Sequence, residues 1–236
     1  MINKQFLKFN LRYFLSDSRN LYLYLAAGSI LLGAYGILLF IIHSTYTYIP
    51  KPFHVVTYNI DKYYMWTYWF LVPFTVISFS ASKLHRIPEN ILVRINSFRR
   101  ILYLYYIQIS CFGLWATGLI GIITLACFPL ASKPITFFDT MHVCLFLLFC
   151  YMNFVNFGLL LIILNKNFNE QISFLLVILL MFCDQYLFGH TILEVTSLLY
   201  IPVFSLNHIL SALFVNVFIM LCFMVLISIQ IQKRDG

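Results

Sequence analysis

Six apolar runs, roughly 20–43, 65–82, 101–128, 138–164, 171–188 and 207–231, constrain this chain more than any other feature. Each exceeds or approaches the ~20 residues that a helix needs to cross ~30 Å of hydrocarbon. Open strands cannot satisfy their backbone in lipid, and these runs are too long and continuous for barrel strands, which leaves helices. Composition points the same way: 62% of the 236 residues are hydrophobic and 10% are charged, against about 25% charged in an ordinary soluble domain. A water-soluble core cannot hide that much apolar surface in so short a chain. The expected fold is an all-α integral membrane protein, with one six-span domain over 20–231 and a short tail, 232–236. The N-terminus does not read as a cleavable signal, because some twenty residues precede the first run and no small-residue cleavage site follows it.

The basic residues fix an orientation. Lys4, Lys8, Arg12, Arg19, the five bases of 82–100, Lys166, Lys233 and Arg234 fall on one side of six alternating spans, and only Lys51, Lys62 and Lys133 on the other. By the positive-inside rule both termini are cytoplasmic, N-in and C-in. A net charge of +7 distributed this way sets topology, and nucleic acid is not an expected partner. Residues 1–19 carry Lys4, Lys8 and Arg12 on one helical face and Ile2, Phe6, Phe9 and Tyr13 on the other, the pattern of an interfacial amphipathic helix. Trp66 and Trp69, beside Tyr63, Tyr64 and Tyr68, fit an aromatic belt at the outer end of span two.

Within the runs, small residues mark where helices can approach. Ala26, Ser29, Gly33 and Gly36 share a face in span one, and Gly113, Thr117 and Gly121 form a ladder in span three. Pro73 is expected to kink span two. Gln108, Asn153, Asn156 and Asn216 place amides in apolar helices, where they serve either as interhelical glue or as the lining of a substrate path. Asp184, about 20 Å into span five, is an ionisable group at a depth that usually faces a bundle interior. All six cysteines fall in apolar runs without metal spacing and read as small buried residues, although Cys127 and Cys144 stand near the outer ends of consecutive spans. The segment 189–206 has no Lys or Arg and an apolar stretch too short to cross. It reads as a re-entrant or interfacial element, or as a hydrophobic loop packed on the bundle.

The loop 82–100, SKLHRIPENILVRINSFRR, does more than connect two spans. Pro88 suits a first helical turn, and Pro88, Ile91, Leu92 and Ile95 share one helix face while Glu89, Asn90 and Arg94 take the other. Ser97 reads as the N-cap of the following helix. A short amphipathic helix on the basic side of a membrane is a docking element for something soluble. The acids and histidines of the outer half, Asp139, His142, Asp184, His190, Glu194 and His208, have loose spacing and no HExxH. They read as helix-end and pore-rim groups, with a metal site as the competing interpretation. There is no GxxxxGK[ST] phosphate loop and no GxSxG, so the chain is not expected to be an enzyme by itself.

The layout resembles the permease subunit of a type-2 ATP-binding-cassette (ABC) exporter. The closest text is ENILVRINSFRR, Glu89–Arg100, which is similar to the coupling-helix segment of small bacterial permeases of peptide-antibiotic immunity and peptide export. Many relatives carry a Gly just after the acid, where this chain has Asn90–Ile91. The resemblance implies an interfacial helix at 1–19, a coupling helix at Pro88–Asn96 and a partly re-entrant element at 191–205. It implies that Glu89, Asn90 and Arg94 touch a groove on a partner ATPase, while Ile91, Leu92 and Ile95 face the bundle or the same groove. It also implies a second permease, identical or homologous, and ATP and Mg bound by the ATPase, with no cofactor in this chain. It implies a bacterial plasma membrane as the setting, and the apolar, amide-dotted path suggests an amphipathic or hydrophobic cargo, such as a peptide or lipid-like compound. Two other readings stay open: a membrane enzyme or carrier holding metal or haem through the outer His/acid set, and a scaffold or sensor without transport.

Overall fold

Runs of Leu, Ile, Phe and Tyr without an internal proline favour uninterrupted helices, and the four runs after residue 100 take that form in the computed structural model. It describes residues 23, 25–31, 33–34, 73–78, 98–126, 137–187 and 206–235. The helices are α1 (Phe98–Ala126), α2 (Phe137–Asn167), α3 (Glu170–Leu187) and α4 (Leu206–Asp235). The pieces 25–31 and 73–78 are helical as well, and no strand occurs among the described residues. Among the described residues three stretches, Leu102–Ile123, Val143–Asn167 and Leu213–Gln230, are long and apolar enough to cross a membrane. Prolines 129, 134 and 202 fall between helices, where a missing backbone N–H breaks no ladder.

Helix α2 is the centre of the bundle and packs on α1, α3 and α4. It runs antiparallel to α1: a Cβ on Gly158 would meet Ile109, one on Gly113 would meet Tyr151 and Val155, and one on Gly121 would meet Leu147. The Gly113–Gly121 ladder is therefore a helix-packing seam. A tight turn at Phe168 and Asn169 reverses the chain into α3. Asn169 Oδ1 accepts the backbone N–H of Ile172 at 2.8 Å, an N-cap for α3. The Phe168 N–H and the Asn167 side chain close the last turn of α2 on the carbonyls of Leu164 (2.8 Å) and Ile163 (3.2 Å). Phe74 ties the piece 73–78 to the hairpin, stacking on Phe174 with ring centres 5.5 Å apart and meeting Phe157 edge-on at 6.2 Å.

Three features differ from expectation. First, Cys111, Cys144 and Cys222 are exposed on the apolar exterior, and of the described cysteines only Cys150 is buried, because a thiol is apolar enough to sit on a hydrocarbon face. Of the span-one face, Ala26 is exposed and Gly33 has open space around it. The close approach is made by Gly28 instead, where an added Cβ would sit 3.0 Å from the Trp115 ring and 3.3 Å from Val76. The bulky indole needs a position without a side chain, and a spacing rule within one run cannot say which face the indole will choose. Helix α4 also continues to Asp235, through most of the segment expected as a tail.

The distribution of polarity is the reverse of a water-soluble bundle. Gln108, Asn153, Asn156, Asn165 and Asn216 are buried, while Leu210, Phe214, Phe218, Leu221 and Val225 of α4 and Leu175 and Leu179 of α3 are exposed. Amides inside and bare hydrocarbon outside suit a lipid surround, where the outward face needs no polar groups and buried amides find partners on other helices. The segment 1–19, the aromatic belt around Trp66, the chain leading into Pro73, the Pro88–Asn96 element and Ser97, and the segment 189–205 lie outside the described residues.

Candidate functional site

The amides that the sequence singles out sort onto named helices. Gln108 is buried on α1, Asn153 and Asn156 on α2, and Asn216 on α4 with no exposed surface at all. The structure joins two of them. The Asn156 side-chain N–H group (Nδ2) donates to Asn216 Oδ1 at 3.1 Å and lies 3.3 Å from the Asn216 backbone carbonyl. A polar clip thus connects the central helix to α4. The same two helices meet again at their C-terminal ends. There the Lys166 ammonium donates to the Gln230 carbonyl, and Gln230 Nε2 donates to the Ile163 carbonyl at 3.5 Å. The order of these contacts, 156 with 216 and then 163 and 166 with 230, shows that α2 and α4 run parallel. A hairpin into α3 and a return through α4 produces that alternation.

The lower contact places a cation near the C-terminal ends of both helices. A helix leaves its last carbonyls without intrahelical donors, and a lysine there opposes the negative end of the dipole. Lys166 is the basic residue of the last turn of α2, and it serves the neighbouring helix as well.

Sequence reasoning missed Asn165. It follows the apolar run directly and looks like the start of a loop, yet α2 continues to Asn167 and carries it inside, where it is 4% exposed. Neither its oxygen nor its nitrogen has a hydrogen-bond partner. Nine residues separate it from Asn156, about half a turn of azimuth on a 3.6-residue helix. The two amides therefore face opposite sides of α2 and do not line one path. Asn153 and Asn156, three apart, keep neighbouring azimuths on α2, about 60° from each other.

The coupling residues Pro88, Glu89, Asn90, Ile91, Leu92, Arg94 and Ile95 lie outside the described residues. Asp184 belongs to α3, but its side chain is outside them, as are those of Asp139, His142, His190, Glu194 and His208. Cys144 is a free, exposed thiol, while Cys127 lies outside the described residues. Among the described residues no three His, Cys, Asp or Glu side chains gather as a metal would require. No protein-family model, curated relative or solved structure matches the chain.

Proposed function

We propose that the chain is the membrane-spanning permease subunit of an ABC type-2 exporter in a bacterial plasma membrane. Six spans with both ends inside would carry an interfacial helix at 1–19 and a re-entrant element between spans five and six. A separate ATPase binds ATP and Mg, and its closure pushes the segment Pro88–Asn96. A second permease, identical or homologous, completes the path. The movement rocks the bundle and opens a way outward for an amphipathic or hydrophobic cargo, with Gln108, Asn153, Asn156, Asp184 and Asn216 as candidate path residues.

The observation that carries this reading is the amphipathic sequence of the 82–100 loop, whose Glu89, Asn90 and Arg94 stand opposite Ile91, Leu92 and Ile95 on the basic side of the spans. The described bundle supports it in a coarser way, with helices long enough to cross a bilayer, an apolar exterior and buried amides. A photo-crosslinking residue placed at Asn90 tests it. Capture of an ATPase chain from Asn90, and none from the same probe at Lys62, is the expected result. No capture at Asn90, or equal capture at both positions, would refute it.

A further inference from the structure

The geometry points to Asn156 Oδ1 as the acceptor of a buried site on α2 that takes a hydrogen-bond donor, an N–H or O–H group, and excludes anions. The reasoning starts from the partner. Asn216 presents two oxygens to Asn156, its side-chain Oδ1 at 3.1 Å and its backbone carbonyl at 3.3 Å from Nδ2. An amide turned the other way would set its own oxygen against both, so the hydrogen-bond network fixes which end faces α4. The remaining atom is then an oxygen, and a carbonyl oxygen can only accept. Asn156 is 7% exposed, and that oxygen is buried without any hydrogen-bond partner. A buried acceptor left unmet is costly, which is why such atoms normally have an occupant.

Access to the site depends on α4. Among its described side chains only Asn216 and Ile227 are buried; Met220, Phe223 and Met224 pack half-buried against the core, and polar contacts hold the helix at Asn156 and Gln230. Parting α4 from α2 near residue 216 uncovers the acceptor without dismantling a large core. A cargo bearing a peptide N–H, an amine or a hydroxyl supplies the missing donor, and a single trapped water would do so too. As cargo recognition, this inference rests on the transport reading above, but the site itself belongs to this chain and can be tested without an ATPase.

The test uses the full chain in lipid nanodiscs and two probes with one tail. Dodecanamide offers N–H donors, and N,N-dimethyldodecanamide offers none. Dodecanamide is expected to bind roughly tenfold more tightly, the size of one net hydrogen bond. Asn156→Leu should abolish that preference, and Asn165→Leu, on the opposite face, should retain it. Asn156→Ala removes the same acceptor and serves if the leucine variant does not fold. Equal affinity for the two amides, as a site filled by water alone would give, overturns the inference. So does binding of neither, or a preference that survives in both Asn156 variants. None of these results bears on whether an ATPase engages residues 88–96, so the two proposals fail separately.

Discussion

At the scale of single residues, glycines in this bundle differ by what lies beside them. A Cβ on Gly158 would stand 2.4 Å from the Ile109 Cγ2 methyl and 3.2 Å from that of Ile77. Both methyls belong to β-branched side chains, which have little rotamer freedom in a helix. Gly158→Ala therefore forces α1 and α2 apart and should cost about 1–3 kcal/mol. Gly118 has nothing within 4 Å, so Gly118→Ala should be neutral or stabilising by up to about 1 kcal/mol, the helix-propensity difference. Unfolding in mixed micelles measures both, and an equal response would mean that the contacts at Gly158 are not made. Asn165→Leu removes a buried amide with no partner and should leave stability unchanged or raise it. A clear loss would show that the amide is met in the membrane. Sequence spacing reveals the Gly113–Gly121 ladder because both members lie in one run. It is silent on Gly28 and Gly158, whose importance comes from Trp115, Ile77 and Ile109, side chains far away in the chain.

At the scale of elements, hydropathy comes close to the helix bounds. The runs 101–128 and 171–188 lie within three residues of α1 and α3 at each end. It misses the ends where polar residues remain helical, Asn165–Asn167 on α2 and Gln232–Asp235 on α4. On α2 two of these side chains serve backbone carbonyls, Asn167 that of Ile163 and Lys166 that of Gln230, while Asn165 is carried inside. The turn into α3 depends on one cap, and Asn169→Ala should cost about 1 kcal/mol. Asn169→Asp, which keeps the acceptor, should restore it. The α2–α4 clip is tested by a double-mutant cycle of Asn156→Leu and Asn216→Leu. An interaction energy of about 0.6–1.7 kcal/mol is the range for interhelical hydrogen bonds in a membrane protein. Strict additivity would mean that the pair is not formed.

At the scale of the whole molecule, the inverted polarity of the described bundle is foreseeable from composition. A chain with 62% hydrophobic residues must leave many of them on its surface, and its few amides then gather inside. Which amides meet is not foreseeable, because pairing Asn156 with Asn216 requires knowing that α4 returns parallel to α2 across sixty residues of chain. Force delivery is a separate matter, carried by the sequence of the 82–100 loop. If an ATPase moves this bundle, the charged side of that loop must grip it, and reversing the charges must release it. The decisive measurement is ATP hydrolysis that co-elutes with the purified chain, compared between the natural sequence and a Glu89→Lys, Arg94→Glu variant that still inserts in the membrane. Stoichiometric ATPase activity with the natural chain, lost in the variant, is the expected result. A chain that purifies without ATPase activity, or a variant that keeps it in full, would contradict the transport reading.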